Sequence, residues 1–397
     1  MQKKFWYVAV AALLIAASTA GCGNSSKKHS AEAQGRWNRA RAGVMLSLAR
    51  DQFKAGSLEQ CRKNTDAALR LDPKNAQLYV LSAKLRIEQG QLELAERELQ
   101  QARKLSPKDG EPFYLSGVVY QRWQKPQTAY EFYVAASDRS PAELAYVMAQ
   151  GEMLVDLERT EEALTLLKGK VQYFENSAAI RDAVGQILTQ MGRHAEAVDM
   201  FRSASILAED DMNIKERLAL SLFHAKQYAE AATLLGKLVA EEPYAGRTDL
   251  LAALGDAQLQ TGKPRDARHT YEAATEKEPS SAQLWLGLGR AAMECKDFRR
   301  AELALRKAQA LEPKSPEAQL LAGYVRLRQN RLDEALTAFE KANSLDEADT
   351  VALCMIGYVH EKKGRNDTAM EFYGKALKLK PDDQLASRLM AGVDLHD

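Results

Sequence analysis

Cysteine is scarce in this chain. Of four in 397 residues, Cys22 ends an apolar run, and Cys61, Cys295 and Cys354 are strewn singly over the rest. No two share a CxxC spacing, and the odd number left after Cys22 excludes both a disulfide framework and a thiolate zinc site. A surplus of charge is lacking as well. Lys and Arg number 55 against 54 Asp and Glu; without residues 1–21, which hold Lys3 and Lys4, the balance is −1. No basic excess is left over for a nucleic-acid backbone. Long apolar runs are also missing: the run from Phe5 to Ala17 is thirteen residues, short of the roughly 18 to 20 that cross about 30 Å of hydrocarbon. Catalytic constellations are equally thin. His360 and Glu361 begin an HExxH, but Gly364 stands where its second histidine must be. There is no GxxxxGK[ST] loop and no GxSxG elbow. The histidines (His29, His194, His224, His269, His360 and His396) are scattered, and the carboxylates sit on charged helix faces. These absences lead us to expect no enzyme, no catalytic residue, no metal, no cofactor and no small-molecule substrate.

What is present begins with an address. MQKK leads into the apolar run, which then becomes small at Ser18, Thr19, Ala20 and Gly21 before Cys22. This is the three-part form of a cleaved secretory signal. Its end resembles the bacterial lipoprotein signal: Thr19, Ala20, Gly21 and Cys22 occupy the lipobox, with Thr19 where that family more often has leucine. The resemblance implies a diacylglyceryl group on the Cys22 thiol, removal of residues 1–21 as a signal peptide, and acylation of the new amino group. Several acyl chains on one cysteine make a stable anchor, where one gives only reversible binding. Gly23, in place of aspartate, points to the outer membrane if the source is a diderm bacterium. Residues 22–41 are then expected as the lipidated cysteine and a flexible tether. GNSSKKHSAEAQG, residues 23–35, has no apolar periodicity and would reach roughly 20 Å as a random chain. RWNRAR, residues 36–41, extends the first helix. Lys27, Lys28, Arg36, Arg39 and Arg41 make this zone basic, which suits anionic headgroups at about 1 kcal/mol per charge and a solvated linker equally well.

Self-similarity fills the remainder. With the prolines aligned, a 34-residue frame runs from Ala42 to Asp383 as ten units, interrupted only by Gly246 and Arg247. Its eighth place is Gly or Ala in every unit, from Ala49 to Gly357, and its twentieth is Cys61 followed by Ala from Ala95 to Ala369. Four residues past the twentieth place stands a larger side chain: Thr65, Leu99, Tyr133, Leu167, Phe201, Leu235, Tyr271, Leu305, Phe339 or Tyr373. That is one helical turn further along the same face, and large against small is how two helices interlock. Seven units close on proline, from Pro73 to Pro381, which cannot continue a helix interior. Each unit therefore reads as two helices and a turn. Units four, five and nine close on Glu175, Glu209 and Glu347 instead, and Lys170 and Leu238 replace the small residue at the twenty-seventh place. A divergent junction is expected between residues 170 and 245.

The pattern resembles the tetratricopeptide repeat. WLGLG at 285–289 matches the W-x2-L-G of that family, and AVDMF at 197–201 and ALTAF at 335–339 match its A-x3-F. The resemblance covers 342 of the 397 residues. It implies an all-α, right-handed solenoid of about ten helix-turn-helix repeats over residues 42–383, curved around a groove. QLASRLMAGVDLHD, residues 384–397, puts Leu385, Leu389 and Met390 on one face and is expected as a C-terminal capping helix, because the end of a stack must be sealed.

Members of this family present their inner helices to ligands, and the second, fifth, ninth, twelfth and thirteenth places of the frame correspond. Partner binding is thus expected at Tyr114 and Val118 in unit three, Leu286 and Arg290 in unit eight, Leu320, Tyr324 and Leu327 in unit nine, and Tyr358 in unit ten. Val80, Lys84, Ile87, Met148, Val155, Arg328 and Cys354 share those columns, while Asp182, Gln186, Glu216, Asp249 and Asp256 form an acidic middle. For any one apolar member, stacking on the neighbouring unit is the alternative. Tyr with Arg is enriched at protein interfaces, and such a groove suits an amphipathic helix or an extended peptide. The clamp by which chaperone-binding members hold an acidic C-terminus wants Lys and Asn at inner places, and Lys84 alone meets that description. The two resemblances together imply a membrane-anchored, periplasm-facing scaffold for other envelope proteins, in pilus, secretin, polysaccharide or outer-membrane protein assembly or export. A module that stacks an envelope glycan on Tyr114, Tyr324 and Tyr358 is the alternative, as is a non-catalytic spacer.

Overall fold

The structure, a computed structural model, describes residues 29–392. The signal segment, Cys22 and residues 393–397 lie outside them. The described residues contain twenty-one α-helices, one 3-10 turn and no strand, so the fold is all-α, and helix pairs stack as a solenoid within each of two compact units. The first unit ends at Glu175 and the second begins at Asn176.

Repeat one pairs a helix over 29–54 with Leu58–Leu71; Ala76–Glu88 with Leu92–Leu105, Glu111–Arg122 with Pro126–Arg139, and Leu144–Asp156 with Thr160–Lys170 complete the first unit. The second unit pairs Ala178–Gln190 with His194–Leu207, Met212–His224 with Tyr228–Leu238, and Thr248–Gln260 with Pro264–Lys277. Ala282–Glu294 with Phe298–Leu311, Pro316–Arg328 with Leu332–Leu345, and Thr350–Lys362 with Asn366–Leu379 follow, and Gln384–Met390 closes the stack. We call the first helix of each pair A and the second B.

The interlock lies inside each repeat. A Cβ added to Gly185 would come 2.7 Å from the Phe201 ring, one on Gly255 2.6 Å from Tyr271, and one on Gly323 2.5 Å from Phe339. The eighth place of the A helix is therefore a socket for the twenty-fourth place of the B helix, and the alanines of the twentieth place are buried beside it. Size is matched in eight of the ten pairs; Gly151 and Gly289 instead face Leu167 and Leu305. The aromatic residues stand opposite glycine, whereas Ala49, Ala83 and Ala219 face the smaller Thr65, Leu99 and Leu235. The eighth-place socket and the bulk that fills it are set within one 34-residue unit, while Tyr271 is also wedged against the next repeat, where a Cβ on Gly287 would run into its ring.

Two further columns carry the turns. The fifteenth place, between A and B, has positive φ in all ten repeats: glycine at Gly56, Gly90, Gly192, Gly262 and Gly364, and otherwise Gln124, Glu158, Lys226, Lys296 and Asn330. This left-handed residue lets the next amide reach back over the helix end, as Gln91 N–H donates to the Arg86 carbonyl at 2.8 Å. The thirty-fourth place caps the following A helix. Asn75, Asp211, Asp349 and Asp383 accept hydrogen bonds there from free helical N–H groups.

The divergent stretch is visible in helix length. B helices have 14 residues where the twenty-seventh place is small, but only 11 in Thr160–Lys170 and Tyr228–Leu238, where Lys170 and Leu238 occupy it. After the first of these, 171–176 is turn and the division between units falls. After the second, the inserted pair is absorbed by the 3-10 turn Tyr244–Gly246, and Arg247 becomes the residue before the next A helix. The expected tether needs correction over residues 29–35, which are helical and run on into residues 36–41 of the first helix. Ala31, Glu32, Ala33 and Gln34 are strong helix formers, so the segment continues the first helix.

Candidate functional site

The inward columns do not all open to solvent. Leu286 is 2% exposed and sits in the core between repeats eight and nine, with Ala318, Ala322 and Val325. Val80, Ile87 and Cys354 are likewise buried. For Leu286 the expectation of a groove-lining residue is therefore corrected to stacking: an apolar side chain in that column falls against the next repeat when the facing residues are small. Tyr114 is half-buried and committed to an aromatic stack, 4.7 Å from Tyr146 with 24° between the rings, and its centroid is 5.5 Å from Tyr133. Burial raises the Tyr114 phenol, and it pushes that of Tyr146 up to about 12. Val118 packs partly buried at the same cluster.

The acidic middle is not an open acidic surface. Arg217 holds Asp182 through two bonds of 2.7 and 2.9 Å, and Gln186 donates to the same carboxylate at 2.7 Å. Arg247, contributed by the insertion, bonds Glu216 at 2.8 Å and Asp249 at 2.7 Å. Arg290 lies 3.5 Å from Asp256, which also accepts the Tyr271 hydroxyl at 2.6 Å. These pairs join successive A helices of repeats five to eight. Arg290 is thus a member of this ladder and not a rim cation. The spacing of 31 to 35 residues between Arg and carboxylate is about one repeat, a signal present in the frame but read only by column, never across units.

The remaining predicted residues converge. In the second unit Tyr324 and Leu327 on one A helix, and Tyr358 on the next, line a pocket of about 410 Å³ together with Arg328, Asn330, Leu332 and Lys362. Leu320 packs one turn earlier, partly buried against the same core. The Tyr324 ring meets Phe339 edge-on at 5.5 Å and 80°. Burial, with smaller contributions from Asp349 and Cys354, pushes its phenol up to about 12, so it stays a neutral hydrogen-bonding group. Tyr358 is only 3% exposed and forms the floor, with Lys362 Nζ 5.0 Å above its ring. Arg328, Asn330 and Lys362 are exposed at the mouth. Asn330, Leu332 and Lys362 were not foreseen. Asn330 comes into play because its left-handed turn carries the chain around the pocket edge.

A second cavity, of about 240 Å³, lies in the first unit. Arg50, Phe53, Lys54, Gln77, Val80, Leu81, Lys84 and Glu111 line it, and Lys84 bonds Glu111 at 2.6 Å. Lys84 is thus neutralised by the next repeat. Among the described residues no cluster of three His, Cys, Asp or Glu is placed to hold a metal ion, and no helix is long and apolar enough to cross a membrane.

Comparison with known proteins agrees with the repeat. Residues 208–396 match the family described as the C-terminal domain of cilia and flagella-associated protein 70, and residues 46–110 match the tetratricopeptide repeat family. No curated protein matches. Among solved structures, MamA is 25% identical over 41% of this chain and 95% of its own, with a TM-score of 0.38. A thermophilic protein of Thermus thermophilus is 21% identical over 45% and 96%, at 0.39. YrrB, titled as having an unusual peptide-binding site, is 17% identical over 57% and 97%, at 0.34. Ten helix pairs in one frame and these family matches show that the chain belongs to the tetratricopeptide repeat family, whose fold is a protein-interaction scaffold.

Proposed function

We propose that this protein is a lipid-anchored scaffold of the bacterial envelope, facing the periplasm, which holds a segment of another envelope protein during assembly or export. The observation that carries the reading is the pocket of repeats nine and ten: a floor of Tyr324, Leu327 and Tyr358 with Arg328 and Lys362 at the mouth. Its volume suits one or two side chains of a peptide and is at the small end for a complete ligand. Aromatic floor and cationic mouth together favour a segment with an apolar side chain beside a carboxylate. The lipobox ending at Cys22 supports the anchor, and Gly23 the outer membrane.

The test is a photoreactive residue in place of Leu327, crosslinked in intact cells and followed by mass spectrometry of the adducts. A recurrent envelope protein is expected, lost when Arg328→Glu and Lys362→Glu are added. Adducts confined to envelope glycan would replace the proposal with the glycan-binding reading, and a chain without adducts would leave it as a spacer.

A further inference from the structure

The helix over 29–54 is apolar on two opposite sides. Ala42, Leu46 and Ala49 are buried against repeats one and two. On the far side Trp37 is 64% exposed, Val44 71% and Leu48 49%. At 3.6 residues per turn these three lie within about 40° of one another, so they form one stripe and not three isolated side chains. In an internal repeat that face meets the preceding repeat; here no helix of the described residues covers it. Arg41 borders the stripe on one side; on the other, Arg36 stands about 80° from its edge, with the exposed Asp51 between them toward the C-terminal end of the helix. Over the whole helix Arg36, Arg39, Arg41, Arg50 and Lys54 stand against Glu32 and Asp51, a surplus of three positive charges in a chain that is otherwise balanced.

We infer that this helix lies on an anionic lipid surface, with Trp37, Val44 and Leu48 in the headgroup boundary and Arg36 and Arg41 against lipid phosphates. Charge selects this occupant. A second copy docking on the stripe would bring two helices of the same positive surplus together, whereas an anionic bilayer complements both the surplus and the apolar stripe. Tryptophan is itself a residue of the membrane boundary, with an apolar ring and one N–H donor. The contact is separate from the pocket of repeats nine and ten and from acylation of Cys22. It would orient the first unit at the membrane surface.

The test uses the full chain carrying Cys22→Ser, so that no acyl chain contributes, mixed with vesicles of phosphatidylcholine alone or with phosphatidylglycerol. Their acyl chains are brominated to quench nearby tryptophan. The Trp37 signal is taken as the difference between this chain and the same chain with Trp37→Phe, which removes the contribution of Trp6, Trp123 and Trp285. Quenching is expected with phosphatidylglycerol and not with phosphatidylcholine alone. Val44→Ser with Leu48→Ser, or Arg36→Glu with Arg41→Glu, should weaken it at least tenfold in lipid concentration while circular dichroism stays unchanged, since all four positions are exposed. No quenching of Trp37 in either vesicle would overturn the inference. So would equal quenching in both, which would mean that the apolar residues 5–17 merely carry the helix close. A concentration-dependent dimer in the absence of lipid, abolished by Leu48→Ser, would give the stripe to a second copy instead.

Discussion

At the scale of single residues, this protein is governed by one size rule: the bulk at the twenty-fourth place must suit the socket at the eighth. Phe339 lies where a Cβ on Gly323 would be, at 2.5 Å. Gly323→Ala should therefore destabilise the second unit by roughly 1 to 3 kcal/mol through overpacking, as measured by urea denaturation. Adding Phe339→Leu should recover part of that loss, because Ala opposite Leu is the pairing already present at Ala83 with Leu99 and Ala219 with Leu235. A double variant no more stable than Gly323→Ala alone would refute the rule. Both columns were legible in the sequence, since the eighth place is always Gly or Ala and the twenty-fourth is larger than it in every repeat. The left-handed fifteenth place was not, because half of its members are Gln, Glu, Lys or Asn. For those, the turn imposes a conformation that the side chain alone would not announce, at a cost of about 1 kcal/mol relative to glycine.

Between elements, the decisive contacts are made one repeat apart. Arg247 exists only because of the two-residue insertion, and it ties Glu216 on one A helix to Asp249 on the next. Its hydrogen bond is the main reason that the Asp249 carboxyl is held below its ordinary range. A carboxylate depressed in the folded state adds stability that is present above its unfolded value, near 4, and is lost as pH falls through the folded value. Arg247→Ala should therefore cost up to about 1 kcal/mol at neutral pH, a modest sum because Arg247 and Asp249 are well exposed. The gap from the parent protein should close in acid, as the pH falls through that folded value. Urea curves at the two pH values check this, and a constant gap would mean that the arginine acts by packing alone. Sequence reasoning saw the carboxylates of this region as an acidic surface because it took each column by itself. The partners come from the adjoining turn of the solenoid, and only stacking brings them to 2.7–3.5 Å.

On the scale of the whole molecule, ten similar repeats resolve into two compact units, and the break falls where the repeat is least regular. The turn at 171–176 follows the shortened helix Thr160–Lys170, and Tyr173 within it is 60% exposed. Limited digestion with chymotrypsin should cut first at Tyr173 and leave a resistant fragment for each unit. First cuts inside repeats six or seven would place the weak point at the insertion instead. The sequence alone determined the all-α repeat, its frame, the sites of small and large packing residues, and the region of irregularity. Helix pairing within a repeat buries side chains that are near in the chain, so local pattern suffices. Tertiary structure alone decided which inward residues are accessible. Leu286 and Leu327 are the same residue type in inward columns, yet one is sealed by the small side chains of its neighbour and the other opens on a pocket. Exposure of Trp37, Val44 and Leu48 was decided in the same way. Whether an apolar face is core or surface depends on which helix stacks against it, and that is a property of the assembled stack.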